Sequence, residues 1–142
     1  MLQGDDLLEQ LRINLTDESK AYGYTLVIWG SGAVLTNAVG VPLATQIMTY
    51  ILGALTGFGL LAIPVYGGVF GRIPNVKEEE VIVFSMVHLL AALGTIAIAA
   101  GIADMLPPLW AFFMVGLNAT VSYNVFLLAE VLIARQLASH RR

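Results

Sequence analysis

Two long stretches almost free of charge, 21–71 and 81–134, most constrain what this chain can fold into. They contain only Asp104 and Glu130 between them, and every other charge lies in 1–20, 72–80 or 135–142. Charged residues make up 12% of the 142 and hydrophobic residues 58%, where a typical soluble domain carries roughly 25% charged residues. A water-facing surface could not be covered from that stock, so lipid is the solvent the sequence suits. The net charge of -3 offers no basic face to track phosphates, which argues against a nucleic-acid partner. With no Cys, disulfides, thiolate metal sites and thiol redox chemistry are excluded.

The first run is more than twice the roughly 20 residues that one helix needs to cross about 30 Å of hydrocarbon. It divides at Gly40-Val41-Pro42, because Pro disfavours helical geometry in the residue before it and lacks an interior donor. The second run divides at Gly101 to Pro108, where Asp104 can cap a helix and the prolines suit a first turn. Helices are therefore expected at about 20–40, 43–70, 80–101 and 107–134. The predicted fold is all-α, a polytopic membrane protein built as a four-transmembrane-helix bundle in one domain, 20–134. A cytoplasmic amphipathic segment, 1–19, precedes it and a basic tail, 135–142, follows. Arg12, Lys20, Arg72, Lys77, Arg135, Arg141 and Arg142 all fall on the side that holds both termini, and the loops near 41 and 104 hold no Lys or Arg. That asymmetry predicts cytoplasmic termini and fits a plasma or bacterial-type inner membrane.

The start of the chain lacks the pattern of a signal peptide, so the first helix is expected to stay in the mature protein. Leu7, Leu8, Leu11 and Leu15 stand near helical spacing and predict a short interfacial helix. A partly ordered tail whose leucines pack on the bundle is the alternative. Thr16-Asp17-Glu18-Ser19 reads as the N-terminal cap of the first span.

Small residues mark the helix faces. Gly23, Gly30, Ala33, Asn37 and Gly40 share a face of the first helix, and Gly53 and Gly57 form a small-xxx-small motif on the second. In lipid, where burial of apolar surface gives little drive between helices, such stripes permit close backbone approach. Pro64 and Gly68 predict a bend near the inner end of the second helix, either a packing feature or a hinge. Ser85, His88, Ala92, Thr95 and Ala99 form a polar and small stripe on the third helix, which must face protein or a wetted cavity rather than lipid. The fourth contributes Asn118 and Ser122 on one face and Asn124 on another, implying bonds to more than one neighbour.

An ionisable residue inside a membrane helix is by default a functional-site hypothesis. His88 is read either as a neutral, hydrogen-bonded structural residue or as part of a proton relay. Glu130, five residues before Arg135, is read either as half of an ion pair with Arg72 or Lys77, or as a group lining a cation path. Trp29 and Tyr123 lie deep, where packing between helices is the expected use and stacking on a ligand the alternative. No first shell for a metal and no cofactor motif is present: Walker, dinucleotide, HExxH and serine-elbow sequences and paired catalytic carboxylates are all missing, so the chain is not expected to be an enzyme.

Two functions remain. The chain is expected to be a homo-oligomeric channel or transporter protomer with His88, Thr95, Asn118, Ser122, Glu130 and Asn37 lining a polar path. The alternative is a non-catalytic structural or accessory subunit of a larger membrane complex. They differ in where the third helix aims its polar stripe, into a continuous wetted path or into dry contacts with its neighbours. The lipid bilayer, a second copy of the chain or another membrane subunit are the partners either reading implies.

Overall fold

The computed structural model describes the backbone of residues 4–66 and 87–139, and the side chains of 21–64, 88–130, 132, 133 and 136. The architecture is all-helical: α1 (Gly4–Val39), α2 (Ala44–Tyr66), α3 (Val87–Met105) and α4 (Pro108–Ser139). Where the sequence implies four crossings, three helices, α2, α3 and α4, are long and apolar enough to span a membrane by length and composition. In α1 the apolar residues are diluted by Tyr22, Tyr24, Thr25, Ser31, Thr36 and Asn37.

The expected short interfacial helix is absent as a separate element, because α1 runs without a break through 36 residues. No proline interrupts it, and Thr16-Asp17-Glu18-Ser19, expected to cap a new helix, lies in its interior. The expected boundary between residues 19 and 20 therefore falls inside one helix. At 1.5 Å per residue α1 is about 54 Å long, well beyond the roughly 30 Å of a hydrocarbon core, and its charged residues all lie in the N-terminal half.

At its other end α1 stops where Gly40 takes φ +86, a left-handed conformation that favours glycine, and the Gly40 N–H donates to the Thr36 carbonyl. Four residues later α2 begins. The Leu43 N–H donates to Gln46 Oε1 at 2.8 Å, half of a capping box. The third helix runs four residues past its expected end, through Gly101, and stops only before Pro107-Pro108. Asp104 consequently sits exposed in the last turn of α3 rather than capping α4. The first α4 hydrogen bond is taken by the Pro107 carbonyl from the Ala111 N–H at 2.9 Å, with Pro108 at the first helical position. The C-terminal end of α4 reaches Ser139 rather than 134, into the expected basic tail.

Helix α4 is the hub, packing against α2, α3 and α1, while α1 also lies along α3. Gly23 faces His88 and Gly30 faces Ile96, so α1 and α3 run parallel. Leu35 joins Ala99, Ala103, Ala111, Phe112 and Val115 in one core cluster, and Val27 joins Ala91, Ala92, Ala119 and Tyr123 in a second. The α1 stripe that is buried is Gly23, Val27, Ser31 and Leu35, at spacings of four. This corrects the face inferred from small residues: Ala33, Asn37 and Gly40 are exposed, and Asn37 lies about 160° round the helix from Leu35 at 100° per residue.

Among the described residues α2 packs along α4, running parallel to it, and meets α1 through Tyr50. A Cβ on Gly53 would collide with the Phe113 carbonyl oxygen, and one on Gly116 with the Tyr50 carbonyl oxygen. At Gly57 it would stand 3.0 Å from the Leu117 carbonyl oxygen. The two backbones are in contact, and no flexible side-chain end can yield. Replacing Gly53 or Gly116 by Leu is expected to cost about 1–3 kcal/mol or more through forced separation of α2 and α4, and Gly57→Leu to cost less. Thermal unfolding in detergent checks this, with Gly101→Ala as the control because a Cβ there meets nothing within 4 Å.

Candidate functional site

The polar stripe of α3 is turned inward. His88, Ala92, Thr95 and Ala99 are all buried, Thr95 completely; Ser85 lies outside the described residues. The Thr95 hydroxyl donates to the Ala91 carbonyl at 2.8 Å, a bond within α3. The Thr95 carbonyl then accepts from Asn118 Nδ2 of α4 at 3.0 Å, and Asn118 Oδ1 accepts from the Ser122 hydroxyl at 2.6 Å. Both ends of the Asn118 amide are thus engaged, Nδ2 across to α3 and Oδ1 within α4, in a setting where an unsatisfied polar group has no water to turn to. Thr95, Asn118 and Ser122 form one bonded cluster.

His88, Tyr123, Glu130 and Gly23 gather nearer the other end of the same α1–α3–α4 contact. The Tyr123 hydroxyl occupies the space that a Cβ on Gly23 would need, with the His88 Cβ 3.3 Å from that position. This contact explains why a glycine suits position 23. The Tyr123 ring also lies tilted against Tyr24, centroids 6.0 Å apart. Glu130 interacts electrostatically with Tyr123 and with the backbone of Ala91. The Tyr123 hydroxyl and Glu130 Oε2 are buried without a hydrogen-bond partner among the described residues. The expected ion-pair partners Arg72 and Lys77, and the side chain of Arg135, lie outside the described residues, as does Gly68. Pro64 is exposed in the last turn of α2.

Asn37 does not join this cluster. It borders a laterally open cleft of about 700 Å³ between α1 and α2, closed at the back by Leu35 and Phe112. Ile28, Trp29 and Thr36 of α1 and Ile47 and Tyr50 of α2 form the side walls, with Pro42 at the connecting turn. None of His88, Thr95, Asn118, Ser122 or Glu130 lines this cleft. Trp29, expected to pack between helices, is 76% exposed here, whereas Tyr123 is 3% exposed and packed as expected.

Two contributors escape the sequence reading. Thr120 donates to the Ala54 carbonyl at 3.1 Å and ties α4 to α2, and Gly116 provides the α4 side of the close approach. Their spacing of four is itself a small-xxx-small signal. Asn124, expected to reach another helix, instead donates to the Thr120 carbonyl of its own helix at 2.7 Å.

The groups brought together form an interhelical hydrogen-bond lock beside two buried polar atoms, the Tyr123 hydroxyl and Glu130 Oε2, and among the described residues no group of three or more His, Asp or Glu could hold a metal ion. Asn118→Ala removes the bond to Thr95 of α3 and the acceptor of Ser122 within α4, and a loss of about 0.6–1.7 kcal/mol is expected. Ser122→Ala in that background should add little, since its acceptor is already gone, which a double-mutant cycle on unfolding in detergent will measure. No protein-family model, curated protein or solved structure matches the chain.

Proposed function

We propose that the chain is a non-catalytic structural or accessory subunit of a membrane assembly, joined to further copies of itself or to another membrane subunit. The reading includes four crossings, with both termini on the cytoplasmic side of a plasma membrane. The fourth crossing is α1: its residues 23–35 lie alongside α3, itself apolar enough to span, and must share its depth. The one-sided distribution of Lys and Arg supports the orientation.

One observation carries the choice between scaffold and conduit. Three of the groups expected to line a path, Thr95, Asn118 and Ser122, are closed onto one another, with Asn118 Nδ2 donating to Thr95 and Oδ1 accepting from Ser122, and His88 and Thr95 are buried. Polar residues used this way hold helices together. The transport reading draws on a single local feature, the buried Tyr123 hydroxyl and Glu130 Oε2.

Purified protein reconstituted in liposomes is expected to pass protons, potassium ions and small solutes no faster than protein-free vesicles. In mild detergent it is expected to show a mass above that of one chain, or to capture another membrane protein by cross-linking. A pH-dependent flux abolished by His88→Ala, with assembly intact, would instead support the transporter reading. Reporters fused to the two ends should give the same cytoplasmic signal.

A further inference from the structure

The cleft between α1 and α2 is graded along the helix axis. Asn37 stands two residues before the end of α1, beside the Gly40–Leu43 turn, while Ile28 lies nine residues further in, about 14 Å at helical rise. On the four-crossing reading above, on which this inference rests, the cleft runs from the headgroup level to about the midplane of a bilayer roughly 30 Å thick.

Its polar groups are equally ordered. The Thr36 hydroxyl is taken up by the Gly32 carbonyl at 2.9 Å, and the Tyr50 hydroxyl leans on the Ile28 carbonyl at 3.4 Å. The Asn37 amide makes no hydrogen bond among the described residues, so a polar group is left at the mouth and apolar walls lie below it. Gly32 widens the cleft, because nothing lies within 4 Å of where its Cβ would be.

We infer that this cleft holds one acyl chain of a glycerolipid from the outer leaflet, with the Asn37 amide donating to the ester carbonyl. The depth is that of one leaflet, and the order of chemistry, one amide at carbonyl level above a hydrocarbon slot, is that of the lipid itself. A volume of about 700 Å³ falls within the roughly 300–1,000 Å³ of small-ligand sites. The eleven lining residues are about half of the roughly 20–30 that a stable protein interface uses on each side, which disfavours a second copy as the occupant.

Three variants of the full chain, purified in dodecyl maltoside with added dioleoyl phosphatidylcholine and phosphatidylglycerol, test this by native mass spectrometry. Wild type is expected to retain one phospholipid per chain. Gly32→Leu fills the slot without touching the bundle and should lower retention about tenfold, while Asn37→Leu, which removes the donor, should lower it about five-fold. Gly101→Leu, at an equally open glycine outside the cleft, should leave it unchanged. Retention by Gly32→Leu equal to wild type overturns the site, as does equal loss in all three variants. A lipid-free wild-type dimer that Gly32→Leu converts to monomer also overturns it, and assigns the cleft to a second copy. End reporters on opposite faces would overturn the four-crossing reading and the depth of Asn37 with it; reporters on one face with lipid retained by Gly32→Leu overturn the lipid site alone.

Discussion

The contact between the α2 and α4 backbones is the constraint on which the rest of the arrangement hangs. Among the described residues α2 packs along α4 and meets α1 through Tyr50, and hydrocarbon provides no hydrophobic drive to press it home. What holds it is proximity: Gly53, Gly57 and Gly116 remove the side chains that would keep the helices apart, and the Thr120 hydroxyl reaches the Ala54 carbonyl across the seam. Dispersion contacts add up only when the surfaces meet. Because α2 is committed to α4, it stands away from α1, and the open cleft is the geometric consequence.

On the other side of α4 a different device operates. Around α1, α3 and α4 the core is built from small residues, Ala91, Ala92, Ala99, Ala103, Ala111 and Ala119, with Leu35, Phe112 and Tyr123 filling the gaps. Alanine surfaces pack closely but specify little, since a helix can slide along them. The Asn118 amide removes that freedom, because only one register brings it to the Thr95 carbonyl. A polar group used as a register pin need not conduct anything, and this bears most directly on the function proposed.

Much of the fold is legible in the residues. The two apolar runs and their Pro-Gly interruptions mark where helices must turn, and Gly40 and Pro107-Pro108 act there for local reasons, a left-handed φ and a missing donor. Asp104 and the 16–19 segment were misleading because capping residues signal a helix start only if the preceding chain leaves helical geometry, and here it does not. The α1 face that packs differs from its small-residue stripe for a related reason: such a stripe shows where a neighbour could approach, not where one does.

Composition and a period of 3.6 suffice for the helical class, the apolar character of α2, α3 and α4, and the shared face of Asn118 and Ser122. The packed helices alone reveal that α2 lies along α4 rather than α1, that Asn118 serves Thr95 and Ser122, and that Asn37 and Trp29 line a cleft. Each of those depends on which helix faces which, and on a featureless apolar surface many pairings satisfy the same local rules. The choice among them rests on backbone approach and hydrogen-bond register, which exist only once two helices have met.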